Sequence, residues 1–294
     1  MLEIDPRYGP AWHGLASNFI NKANAGLLSS REGYTQAREA TEKAMAIDPD
    51  YAPAHTDLGW IAMYGDNDPA AAGRHYQRAL ALDSTDVRVL GDAATFLQSL
   101  GRLEEALALE EAVGRRDSVN VTTLSNLGYF QCAAGRYDAA IASFRTLLSL
   151  SPNRGGAHAK LGKALMLKGD ATGALAEIEQ EKSEGDRMIS LPIAYCALGR
   201  KADADAALNA LIAKYEKEAP YNIAYVYAFC GDADKAFEWL DKAVAYQDGG
   251  LAEIVTENLF DKIHSDPRWL HFLRKLGKAP DQLAKIEFEV PPLQ

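Results

Sequence analysis

Small and apolar residues return along this chain at a fixed interval of 34 positions. Ala93-Ala94, Gly101-Arg102-Leu103 and Ala106 have counterparts in Leu127-Gly128, Gly135-Arg136-Tyr137 and Ala140, and again in Leu161-Gly162, Gly169-Asp170-Ala171 and Ala174. Such a period, with small residues at constant offsets, specifies a helix–turn–helix unit that buries its apolar face only against its neighbours. The predicted fold class is all-α: a right-handed α-α superhelix, or solenoid, of about seven helix pairs over residues 1–246. A C-terminal capping segment (247–278) and an extended tail (279–294) complete the expected organisation.

The first pair reads as helices Ala11–Ala23 and Tyr34–Ile47, with a turn lengthened by Asn24 to Gly33 that carries Gly26 and Ser29-Ser30. The second runs from Ala54 to Leu82 through Gly65-Asp66-Asn67-Asp68-Pro69, a turn rich in cap residues with Pro suited to the first helical position. Pairs three to five open near Val87, Val121 and Gly155. Each places a Gly at its turn, where the left-handed conformation costs no Cβ clash. Pairs six and seven, around Gly199-Arg200 and Gly231-Asp232, are irregular. Leu161 and Leu191 are 30 residues apart, so the joint at 183–187 is shortened and a change of stacking angle is expected there.

After Tyr246 the repeat stops. Gln247-Asp248-Gly249-Gly250 is a loop, and a closing helix follows with Ser265 or Asp266 as cap, Pro267 in the first turn and Gly277 as stop. Stacked repeats need an atypical end to cover the last apolar face. Ile286-Glu287-Phe288-Glu289-Val290-Pro291-Pro292 alternates apolar and acidic residues, a half-buried strand pattern expected to lie along the body.

These residues resemble tetratricopeptide repeats. Gly231-Asp232-Ala233-Asp234-Lys235-Ala236-Phe237-Glu238-Trp239-Leu240-Asp241-Lys242-Ala243, followed by Phe260 and by Ser265-Asp266-Pro267-Arg268-Trp269, is similar to the C-terminal tetratricopeptide region of bacterial signalling and regulatory proteins. In those proteins it follows a winged-helix DNA-binding domain, an adenylate cyclase domain or a protein kinase domain. The family's first Asp-Pro element is replaced here by Thr256-Glu257-Asn258-Leu259-Phe260. The resemblance implies a non-enzymatic regulatory or scaffolding arm that binds a protein or peptide segment, with any catalytic or DNA-reading domain upstream. The alternative is the sensory half of a regulator or cyclase, taking a small molecule or another signal.

Charge and composition narrow the partners. A formal net charge of −10 and a pI near 5.2 oppose the phosphate attraction that nucleic-acid binding needs. No apolar run reaches the ~18 to 20 residues of a membrane span, and the first residues lack a signal-peptide pattern. The expected location is therefore cytoplasmic, for a segment whose parent could be anchored upstream. Leu2-Glu3-Ile4-Asp5-Pro6 reads like Ala46-Ile47-Asp48-Pro49, which closes a repeat, so a longer protein is expected. Cys132, Cys196 and Cys230 lie in apolar helical stretches and read as buried free thiols of a reducing compartment.

Candidate chemistry is sparse. His55 and His158 take inter-helix packing positions, and His264 and His271 are too loosely spaced to argue for a metal. Asp66-Asn67-Asp68 and Asp232-Ala233-Asp234 lack the remaining ligands of a calcium loop and read as turn and cap residues. No catalytic residue, metal ligand or cofactor is expected. Aligning the copies on their Leu-Gly position puts Trp60, Tyr64, Thr95, Gln98, Tyr129, Lys163, Met166, Tyr225 and Phe229 on the inner face of the first helices. Aromatic residues there are suited to anchoring a partner. With Lys163 amid mostly neutral and aromatic groups, an apolar or mixed segment fits better than an acidic C-terminus. The chain's own Ile286 to Val290 is one such plug, and homodimerisation is left open by the sequence.

Overall fold

The computed structural model describes residues 5–24, 27–116 and 119–290. Met1 to Ile4, Gly26 and Pro291-Pro292, on which expectations above rest, lie outside them. Every regular element among the described residues is helical, and the chain divides into two compact units.

The first unit comprises residues 1–100, 247–255 and 273–294. It contains α1 (Gly9–Asn24), α2 (Ser30–Ile47), α3 (Ala52–Trp60) prolonged by a π-helical turn Ile61–Gly65, α4 (Pro69–Leu82) and α5 (Val87–Ser99). The helices start where the sequence supplies an acceptor for orphan backbone N–H groups: Ser29 caps α2, Asp68 caps α4 and Asp86 caps α5. The lengthened first turn is shorter than expected, because α1 continues to Asn24 and α2 begins at Ser30. Ala16, Ile20, Tyr34, Ala37 and Ile61 form a core against which Trp12, Phe19, Trp60 and Tyr64 pack.

Among the described residues the tail makes no strand. Phe288 is buried against Phe96, ring centroids 5.0 Å apart, so the inward alternation holds. What is missing is a neighbouring strand. In its place the Gln77 side-chain amide donates to the Glu289 carbonyl at 3.1 Å and accepts from the Glu289 N–H at 2.8 Å, answering that residue's backbone groups.

The second unit comprises residues 101–246 and 256–272. It contains α6 (Leu103–Arg116), α7 (Val121–Ala133), α8 (Tyr137–Leu150), α9 (Ala157–Lys168), α10 (Ala171–Ile178), α11 (Glu184–Ala197), α12 (Lys201–Tyr215), α13 (Pro220–Cys230) and α14 (Ala233–Ala245). Successive helices pack as the pairs α1–α2 and α3–α4 in the first unit and α7–α8, α9–α10, α11–α12 and α13–α14 in the second, while α5 and α6, expected as the third pair, belong to different units. A 3-10 segment Asn258–Ile263 follows, then α15 (Pro267–Lys275), which begins in this unit and ends in the first, and the short α16 (Pro280–Leu283) of the first.

Two glycines show why the small positions are fixed. A Cβ at Gly162 of α9 would sit 2.6 Å from Ile178 Cγ1 and 3.1 Å from the Ala174 carbonyl, so α10 approaches at a distance no larger residue allows. Gly169, with φ +103°, ends α9 in the left-handed region.

The shortened joint has a local cause. α10 is 8 residues long, and Glu181 turns inward just after it, accepting from the N–H groups of Ala159 at 3.2 Å and Ser183 at 2.8 Å. Burial alone would raise its pKa; backbone N–H donors from Ser183, Gly156, Ala159 and Lys182 outweigh that and hold it below the usual carboxylate value. Ser183 caps α11, so the expected joint is a helix start.

Candidate interaction face

In the second unit the first helices α7, α9 and α13 present Tyr129, Lys163, Tyr225 and Phe229, and this face is covered by the chain's own residues 257–262. Lys163 Nζ donates to both Glu257 carboxylate oxygens, at 2.6 and 2.7 Å, and lies 5.7 Å from the centroid of the Tyr129 ring. The Glu257 side chain is 5% exposed and that of Lys163 is 22% exposed, so the pair is largely withdrawn from water. A charge-assisted pair in that setting is strong only while both partners are present. Glu257 also accepts from the Leu259 N–H at 3.0 Å, starting the 3-10 segment. Asn258 Nδ2 donates to the Ala133 carbonyl at the end of α7, at 3.3 Å.

Phe260 supplies the apolar half of the contact. It is fully buried, 5.5 Å from Tyr221, 6.2 Å from Tyr225 and 5.4 Å from Trp269 by ring centroids. Such offset and edge-on ring pairs add to the area they bury. The Lys262 ammonium lies 4.5 Å above the Phe229 ring and donates to that residue's carbonyl. Met166, expected on the same face, is buried at 6% exposure.

In the first unit Trp60 and Tyr64 stack at 4.4 Å, and the Tyr64 hydroxyl donates to Glu253 at 3.1 Å. Burial, followed by the nearby Glu253 charge, pushes the Tyr64 pKa well above its ordinary value, so it stays a neutral donor. The Thr95 hydroxyl donates back to the Gly91 carbonyl, and Gln98 is fully buried. Of the nine positions proposed from the sequence, Tyr64, Lys163, Tyr225 and Phe229 thus engage residues 253–262, while Gln98 and Met166 lie beneath the surface.

The same unit holds a polar cluster that the sequence pattern did not single out. Asp57 of α3 has no exposed side-chain surface; it accepts from His13 of α1 at 2.7 Å and from Arg88 of α5 at 2.9 Å. Arg88 also donates to Ser17 at 3.2 Å and approaches Asp92 at 3.6 Å. Burial raises the Asp92 pKa to about 7 against the opposing pull of Arg88, with the Asp57 charge adding to the rise.

The cysteine expectation is corrected. Cys196 and Cys230 form a disulfide with a sequence separation of 34, and Cys132 is free and buried. One repeat apart, Cys196 is the next-to-last residue of α11 and Cys230 the last of α13, so packing of these two helices brings them together. The repeat period itself was the signal. Beside the bridge opens a cleft of about 830 Å³ lined by Leu208, Tyr227, Phe229, Asp232 and Lys262. Among the described residues there is no group of three or more His, Cys, Asp or Glu arranged to hold a metal, and no helix long and apolar enough to cross a membrane.

Comparison with known proteins agrees with this geometry. Family models described as tetratricopeptide repeat match residues 132–181 and 218–248. Protein FlbA of Caulobacter vibrioides is 31% identical over 180 residues, 61% of this chain and 28% of that protein. Type IV pilus assembly protein PilF of Pseudomonas aeruginosa is 39% identical over 71 residues, 24% of this chain and 28% of that protein. The chain therefore spans less than a third of the curated relatives it matches. A solved tetratricopeptide repeat protein from Parabacteroides merdae shares the fold, with a TM-score of 0.58 at 17% identity over 86% of this chain and 98% of that one. Proteins of this kind bind proteins or peptides, and neither matching family model is a catalytic one. Repeat period, helix pairs and family matches lead to one assignment: the chain carries tetratricopeptide repeats.

Proposed function

We propose that this chain is a non-enzymatic interaction scaffold, the binding arm of a larger bacterial signalling or assembly protein, which takes a protein or peptide segment on the face of its first helices. The observation that supports this most is that Lys163, Tyr225 and Phe229 already hold a stretch of polypeptide by one charged and several aromatic contacts. Tyr129 belongs to the same face, and Trp60 and Tyr64 carry similar aromatic chemistry within the first unit. The partial coverage of its relatives supports a parent protein with further domains. The Cys196–Cys230 bridge supports an oxidising compartment, in place of the cytoplasmic location expected from free thiols.

Photo-cross-linking in the source cells tests this reading. A photoreactive residue at Phe229 should yield a discrete cross-linked partner, whereas one at Glu104, an exposed position on α6, should not. Equal labelling from both positions, or none from Phe229, would contradict it.

A further inference from the structure

We infer that residues 256–263 are a built-in ligand of the second unit, and that its face accepts from a partner a segment of the same chemistry: a carboxylate followed three residues later by an aromatic ring. This rests on the scaffold reading above and sharpens it. The pattern is that of Glu257-Asn258-Leu259-Phe260. Lys163 reads the carboxylate through both oxygens, the Ala133 carbonyl reads the Asn258 amide, and Tyr221 and Tyr225 receive the ring.

Three features mark the segment as held like a ligand. It is a short 3-10 stretch outside the 34-residue repeat, and such stretches have little hydrogen-bonded stability of their own. Its contacts to α7, α9 and α13 run through side chains, with Asn258 reaching the Ala133 carbonyl at the end of α7 and Lys262 the Phe229 carbonyl. Its one basic residue, Lys262, lies over the Phe229 ring and with it lines the open cleft, so the C-terminal end of the segment borders open space. Charge complements the assignment: in a chain of net charge −10, Lys163 is a shielded cation aimed at a carboxylate.

Tethering gives the internal segment an effective concentration in the millimolar range, so a free peptide competes poorly until the tethered copy is weakened. The test is fluorescence anisotropy with a labelled peptide of residues 255–265, Val-Thr-Glu-Asn-Leu-Phe-Asp-Lys-Ile-His-Ser, titrated into the full chain and into its Glu257→Gln variant. The variant should bind at least tenfold more tightly than the parent. Adding Lys163→Met to it, or replacing the peptide's Phe by Ala, should abolish the gain. Equal affinity for parent and variant, or no binding to either while circular dichroism shows both helical, overturns the proposal. So does a Glu257→Gln chain that has lost its helical signal, since a displaceable ligand cannot be required for the fold. Cross-linking from Phe229 would then still decide the scaffold reading on its own.

Discussion

In the first unit, α1, α3 and α5 are tied together from within, by an Asp57 carboxylate that His13 and Arg88 approach from the two neighbouring helices. In the second, three of the first helices, α7, α9 and α13, carry Tyr129, Lys163 and Tyr225, and the groups that meet Lys163 and Tyr225, Glu257 and Phe260, come from a segment with no place in the repeat. A buried carboxylate shared by three helices of one stack is a fixed part of that stack. A lysine and an aromatic pair satisfied by a separate segment are, on the proposal above, a receptor with its site filled. On that reading the same repeat architecture serves cohesion in one unit and recognition in the other.

The largest effect expected from breaking this contrast is at Phe260. Phe260→Ala empties a fully buried ring site and should destabilise the second unit by about 3–5 kcal/mol, read by urea unfolding with tryptophan fluorescence. Reduction comes next. Dithiothreitol should lower the stability of the second unit by about 4 kcal/mol, the scale expected for a loop of this length, and leave the first unit's transition in place.

What the sequence made legible was whatever repeats. The helix pairs follow from Gly135 and Gly169, and the starts of α4, α10 and α14 follow from Asp68, Asp170 and Asp232, each of which caps its helix. Tyr64 in the first unit, and Lys163, Tyr225 and Phe229 in the second, could be picked out because they share one register of the repeat. The occupant of the latter three could not, since Glu257 lies 94 residues from Lys163 and its neighbourhood has no period to betray an inward direction. Asp57 was hidden for a different reason: an aspartate reads as surface until its partners on α1 and α5 are known. The cysteine pair was legible but missed, because proximity along the chain was weighed where the repeat period should have been.

Within the first unit, Asp57→Ala strips His13 and Arg88 of their common acceptor. Arg88 retains partial access to water, so the expected loss is about 2–3 kcal/mol, below the cost of stranding a fully buried charge. The smallest effect is a slope with pH. Because the native Asp92 carboxyl titrates near 7 and the unfolded one near its ordinary value of 3.8, the folded state holds an extra proton between them. This group's stabilising contribution is full below about pH 4 and is lost as pH rises through 7. Asp92→Asn should flatten that part of the profile, and an unchanged slope between pH 5 and 8 would remove Asp92 from the account.

The most direct test of the filled receptor is a double-mutant cycle on Lys163→Met and Glu257→Gln, followed by urea unfolding of the second unit. If Glu257 is seated on Lys163 in solution, the two changes are coupled, and the double variant is less destabilised than the sum of the singles by at least about 1 kcal/mol. Strict additivity would mean that the segment does not occupy the face.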